Sequence, residues 1–170
     1  MEIIYLENGI KWKNGDCEVT YEADNIEFAA DSLEFIYAEI INDDGNSEYR
    51  FLDLTGNEIC KYDETNVLQI KVGTTWSNKE YEEIMDVYII GGKIYAMISP
   101  TDIDVYDLSS HYVGTIKAPF GYTYYRFVDG EKLSAICQGS EENADMFGRI
   151  DCRFEYDNLT NNWVKAGVTY

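Results

Sequence analysis

His111 is the only histidine among the 170 residues, so no multi-histidine metal site can be assembled within one chain. It lies in the turn Ser109-Ser110-His111-Tyr112, where a solvated polar side chain is the ordinary expectation and a lone general base the alternative. The four cysteines, Cys17, Cys60, Cys137 and Cys152, are scattered singly, without a Cys-x-x-Cys pair that would hold zinc. They read as structural thiols buried in strands of a reducing compartment; a secreted chain would allow two disulfides in three connectivities. Neither a metal nor a cofactor is expected.

Carboxylates are plentiful, and their abundance lowers the information each carries. Asn42-Asp43-Asp44-Gly45-Asn46-Ser47-Glu48 faintly resembles a calcium loop, but it lacks the alternating ligands and the closing glutamate, and reads as an acidic turn. Asp102 with Asp104 is the pair that a glycoside-processing protein would use, provided both faced a cleft at a defined separation. Glu141, Glu142 and Asp145 crowd one loop.

Phe120-Gly121-Tyr122-Thr123-Tyr124-Tyr125-Arg126-Phe127 is the densest aromatic run. In a strand, Phe127, Tyr125 and Thr123 face one side and Arg126, Tyr124 and Tyr122 the other. One set packs the core. The other set, joined by Trp76, Tyr81 and the loop from Glu141 to Phe147, suits an exposed aromatic and acidic interaction surface. Its candidate residues are Trp76, Tyr81, Asp102, Asp104, Tyr122, Tyr124, Glu141, Glu142, Asp145 and Phe147. No residue emerges as catalytic.

Strands must position these side chains. Fifteen tyrosines and the lack of long Glu/Lys/Leu/Ala stretches favour an all-β chain. Alternation is clear in Ile3-Ile4-Tyr5-Leu6 and Ile10-Lys11-Trp12-Lys13, joined through Asn8-Gly9, and in Cys17-Glu18-Val19-Thr20-Tyr21-Glu22. The segment from Thr74 to Glu83 is expected to interrupt the pattern, and Trp76 to Glu83 has room for one helical turn capped by Ser77 or Asn78, too short to stand as a helix without packing.

Three times a strand ends in an Asp/Leu/turn unit and restarts: Asp53-Leu54-Thr55-Gly56, Asp107-Leu108-Ser109-Ser110, and Asp157-Asn158-Leu159-Thr160-Asn161-Asn162. The leucines lie 54 and 51 residues apart, a period of repeated meanders that bury their apolar faces against one another. The expected organisation is one all-β repeat domain: an N-terminal hairpin (1–15) and about three four-stranded antiparallel meanders (16–64, 65–118 and 119–170). A twisted β-sandwich is the alternative.

Strand, Asp-Gly or Gly-Gly turn, small-residue strand, then paired strands around the Asp/Leu/turn unit: this order resembles the blades of a β-propeller. The region from Cys137-Gln138-Gly139 onward also resembles the end of small uncharacterised bacterial propeller-like proteins, and that resemblance implies no activity. Three meanders fall short of a ring of roughly four to eight blades. The resemblance thus implies an open arc, or one completed by a second copy.

The formal net charge of −19 offers no basic stretch for a phosphate backbone, so nucleic acid and anionic membranes are not expected partners. No signal peptide or membrane-spanning run is read, and the expectation is a cytoplasmic protein. Such a field steers a cationic protein into contact. The expected function is therefore a non-enzymatic acidic protein-binding module, an inhibitor or immunity-type protein for a basic toxin or nuclease being the concrete form. Carbohydrate recognition and a structural subunit are the alternatives.

Overall fold

The computed structural model describes residues 1–168 and is all-β, with seventeen strands in four antiparallel sheets. Among the described residues the helical content is one 3-10 turn, Glu141–Asn143, and no helix is long and apolar enough to cross a membrane. The chain divides into two compact units, one of residues 1–81 with Leu108–Ser110, the other of Glu82–Asp107 and the residues from His111 on.

The first unit begins with a three-stranded meander, β1 (Ile3–Leu6), β2 (Gly9–Asn14) and β3 (Cys17–Glu22). Gly9 is required where β2 opens: a Cβ there would lie 2.2 Å from the Tyr21 carbonyl oxygen. Six strands follow in one sheet in chain order: β4 (Ile26–Asp31), β5 (Phe35–Ile41), β6 (Ser47–Asp53), β7 (Glu58–Asp63), β8 (Val67–Val72) and β9 (Thr75–Glu80). Inward residues of the two sheets, Ile10, Trp12, Tyr21, Ile36, Ile40 and Leu52, make one core cluster, and Leu54 packs against it. The Trp12 indole N–H donates to the Leu54 carbonyl at 3.0 Å, which satisfies the polar edge of a ring otherwise buried.

The second unit holds two four-stranded meanders. One is β10 (Asp86–Ile90), β11 (Lys93–Ser99), β12 (Asp102–Asp107) and β13 (Tyr112–Lys117). The other is β14 (Tyr122–Phe127), β15 (Ser134–Gly139), β16 (Asp151–Asp157) and β17 (Asn162–Val168). Asp86 joins the two sheets: its carboxylate accepts the Phe127 N–H at 2.7 Å and the Val87 N–H at 2.9 Å. Burial pushes the Asp86 carboxyl above its ordinary value, while those two N–H groups act against the rise. The small residue of the second strand recurs as fully buried Ala38, Ala96 and Ala135.

The expected boundaries need revision. The N-terminal element is three-stranded and extends to Glu22, so residues 16–64 do not begin a meander of their own. Residues 65–81 extend the preceding sheet instead of opening the second copy, which starts at Asp86. The helical turn at Trp76 is absent: Gly73, at φ +61°, makes a two-residue turn with Thr74, and Thr75–Glu80 runs back against β8. A single turn has too few hydrogen bonds to outcompete a full strand ladder. The last two residues of the segment 119–170 lie outside the described residues.

Candidate functional site

Three Asp/Leu/turn units place a carboxylate at the end of β6, β12 and β16, where it accepts the bonds that close the turn. Asp53 accepts the Thr55 and Asn57 N–H groups at 2.8 and 3.0 Å, Asp107 the His111 N–H at 2.9 Å, and Asp157 the Leu159 N–H at 2.9 Å. Asp63 accepts the Thr65 N–H at 2.9 Å and Asp145 the Phe147 and Arg149 N–H groups at 2.8 and 3.0 Å. The sequence pattern missed these two further turns because it required the leucine, whose side chain takes no part in the carboxylate network. His111 stands exposed with Nδ1 3.1 Å from Asp107 Oδ2, as a turn residue.

Asp145 shapes the loop between β15 and β16. The Arg149 guanidinium, followed by the two backbone N–H groups, holds the Asp145 carboxyl down at about 2. That turn presents Met146 and Phe147 to solvent, Phe147 at 73% exposure, with the Arg149 guanidinium 5.1 Å from its ring. Glu141 and Glu142 are exposed on the 3-10 turn of the same loop. Asn143 donates its side-chain amide to the Gly121 carbonyl at 3.0 Å, which ties this loop to the β13–β14 loop. Gly139 makes room for the join, since a Cβ there would lie 2.8 Å from the Asn143 Cβ and 2.9 Å from the Tyr122 ring. Phe120, the neighbour of Gly121, is fully exposed at 102%.

Phe120 also lines a groove of about 670 Å3 within the second unit, together with Thr115 and Lys117 of β13 and Asn161 and Trp163 of the last hairpin. Strand β13 is the last of its sheet. Beneath it, Asp102 pairs with the Lys117 ammonium and accepts the Thr101 and Ser99 hydroxyls at 2.8 and 3.2 Å. Lys117 foremost, with those hydroxyls, holds the Asp102 carboxyl below its ordinary value. Asp104 accepts the Thr115 hydroxyl at 2.6 Å. A general acid in glycoside hydrolysis needs a raised value, so Asp102 is poorly suited to that part.

Eight of the ten predicted surface residues, Asp102, Asp104, Tyr122, Tyr124, Glu141, Glu142, Asp145 and Phe147, fall in the second unit. Tyr124 is not a surface residue: it is 3% exposed, accepts the Trp163 indole N–H at 2.9 Å, and its hydroxyl is pushed well above the ordinary value by burial. The register explains the reversal. Tyr124 opposes Cys137 and Arg126 opposes Ile136, so Tyr125 is a bulge residue and the facing pattern slips by one. Tyr124 and Phe127 consequently both point inward, and Tyr125 outward. Tyr122 is half-buried, its ring 4.9 Å from that of Phe154. Trp76 and Tyr81 belong to the first unit, where Trp76 lies half-buried with the Lys71 ammonium 4.4 Å and the Lys61 ammonium 5.4 Å from its ring centre.

Phe120 and Met146 were absent from the predicted set. The signal for Phe120 was local: an aromatic between Pro119 and Gly121 has turn formers on both sides and no strand face to occupy. Among the described residues, no group of three or more His, Cys, Asp or Glu side chains is placed to hold a metal ion.

No protein-family model matches the chain, and no curated protein matches it significantly. Among solved structures, the chain is similar to one described as the crystal structure of the eukaryotic initiation factor. The identity is 11% and the TM-score 0.40, covering 99% of this chain and 52% of that one. The chain therefore spans about half the length of that protein, and a likeness this distant carries no functional weight.

Proposed function

We propose that the chain is a non-enzymatic protein-binding module that holds a basic partner through the loop end of its second unit, acting in the cytoplasm. One observation carries the reading: Phe120, Met146 and Phe147 are exposed on two loops that share the Asn143–Gly121 bond, and Glu141 and Glu142 are exposed on the same loop as Met146 and Phe147. Exposed aromatic and thioether side chains of this size supply anchoring area, and the surrounding carboxylates select a cationic partner. The net charge of −19 raises the encounter rate with such a partner. Inhibition of a basic toxin or nuclease is the most concrete form.

The test is binding to an array of basic peptides that carry one or two large apolar residues, at about 50 mM and about 500 mM salt. A subset should bind at low salt, weaken at least about tenfold at high salt, and be lost to the Phe120→Ser, Phe147→Ser double variant. No binding at either salt, or equal binding by the double variant, would overturn the proposal.

The groove supports a second reading, carbohydrate recognition, because Asn158, Asn161 and Asn162 line it together with Trp163. Against it, the Trp163 ring is held edge-to-face by both Tyr124 and Tyr156, and its N–H is committed to the Lys117 carbonyl and the Tyr124 hydroxyl. A glycan array would decide it.

A further inference from the structure

Cys137 and Cys152 stand directly opposite each other on β15 and β16, and the structure holds both as free thiols. The Gly139 N–H donates to the Ile150 carbonyl at 2.9 Å and the Tyr156 N–H to the Leu133 carbonyl at 2.8 Å. These bonds set the phase of the ladder, and the two-residue period makes Cys137 and Cys152 a hydrogen-bonded pair. Such pairs have Cα atoms about 5.5 Å apart, inside the range that a disulfide spans, while their Cβ atoms lie at the wide end of about 4.5–5.5 Å, so closure must draw the two strands together and leaves a strained, readily reduced bridge. Directly opposed residues project to the same face, so the two sulfurs need no change of register to meet.

The neighbourhood differs between the two. Burial, with Cys152 as the lesser cause, pushes the Cys137 thiol up to about 12. Cys152 has a cation beside it: the Lys165 ammonium on β17 is shifted upward first by the Cys152 sulfur and then by the Tyr122 hydroxyl, which accepts from it at 3.3 Å. Lys165 is exposed and β17 is the terminal strand of its sheet, so fraying of β17 opens a path for a small oxidant to Cys152. Cys60 opposes Phe51 and Ile70 in its sheet and Cys17 opposes Asn14, so neither has a cysteine as its cross-strand partner.

We propose that Cys137 and Cys152 form a site of reversible oxidation, closing a cross-strand disulfide at the base of the loop that carries Glu141 to Phe147. With a peroxide as oxidant, the Cys152 thiolate attacks one peroxide oxygen, the O–O bond breaks, and the leaving hydroxide takes up the thiol proton as water. Cys137 sulfur then attacks the Cys152 sulfenic sulfur; the S–O bond breaks and the hydroxyl leaves as water with the Cys137 proton. Two thiols and one peroxide thus give one disulfide and two waters. The chemistry does not rest on the partner-binding reading; only its consequence for the loop does, because a closed bridge restricts the segment that presents Phe147.

The folded protein is exposed to hydrogen peroxide, quenched, denatured, alkylated and mapped by mass spectrometry. The expected result is one linked peptide pair, Cys137 with Cys152, reversed by dithiothreitol and formed equally in the Cys17→Ser, Cys60→Ser variant. Lys165→Met should slow closure about tenfold by removing the cation beside Cys152. Cys137→Ala should leave a sulfenic acid on Cys152 that dimedone traps, a readout that survives even if the bridge itself is lost through misfolding of Cys152→Ala. Four alkylated thiols after peroxide treatment, or a link that involves Cys17 or Cys60, would overturn the proposal. Peptide binding by oxidised and reduced protein is scored separately, so its failure bears only on the loop.

Discussion

The turns at Asp53 and Asp157 are built alike and used differently. In both, a strand-end carboxylate gathers backbone N–H and hydroxyl donors from the next few residues: Asp53 from Thr55 and Asn57, Asp157 from Leu159 and Thr160. Leu54 then packs against the Trp12 cluster, and its carbonyl takes the indole N–H. Leu159 is 94% exposed. A local hydrogen-bond network suffices to make the turn, whereas the fate of the leucine depends on whether another sheet is placed to cover it. The same residue pattern therefore marks a core element in one region and a free tip in the other.

The largest effect should come from Trp12. Replacement with alanine removes a fully buried ring and leaves the Leu54 carbonyl without its donor, at a cost of about 3–5 kcal/mol. Leu54→Ala, on the rim of the same cluster, should cost about 1–2 kcal/mol, and Leu159→Ala less than about 0.5 kcal/mol. Urea unfolding of the three variants measures the series. Equal losses for Leu54→Ala and Leu159→Ala would remove the distinction between a packed turn and a free one.

Asp86 gives the contrast a second form, because it joins two sheets while Asp53 and Asp157 gather donors from their own hairpins. Asp86→Ala strands the Phe127 and Val87 N–H groups and should cost about 2–3 kcal/mol. The pH signs are opposite. Burial raises the Asp86 carboxyl, so the folded state binds its proton more tightly than the unfolded chain, and its contribution weakens as pH rises from the ordinary carboxylate range through the folded value. An unfolding titration of wild type against Asp86→Asn should show that weakening in the wild type alone. Identical pH profiles would mean that Asp86 is satisfied as a charged group.

Strand alternation made most of the fold legible: β1 through β7 follow from period-two patterning and Asn-Gly or acidic turns, and the buried alanines mark the recurring second strand. Two features escaped it for physical reasons. Strand β9 reads polar because Ser77, Asn78 and Lys79 occupy a terminal strand, and ladder pairing, which the pattern does not display, holds it. The bulge at Tyr125 inverted the facing of the aromatic run, so Tyr124 reads as surface when it is core. The acidic loop was legible as Glu141, Glu142, Asp145 and Phe147, but its join to Phe120 is a tertiary hydrogen bond with no local signature.

The smallest effect tests the turns themselves. Burial acts to raise Asp53, but the Asn57 and Thr55 bonds outweigh it and hold its carboxyl below the ordinary value. The Leu159 N–H, then the Thr160 hydroxyl, lowers Asp157 likewise, and Arg149 holds Asp145 at about 2. For each of these groups the contribution to stability is complete above the unfolded value, near 4, and is lost as pH falls through the folded one. Asp157 is half-buried on a turn whose next three residues, Asn158, Leu159 and Thr160, are all exposed, so solvent screens it and Asp157→Asn should shift the acid midpoint less than Asp53→Asn does. Side-chain carboxyl NMR titration reads the three groups individually. If Asp157 titrated at the ordinary value while Asp53 remained low, the turn network would owe its strength to packing around Leu54, and local bonding alone would no longer account for the repeated unit.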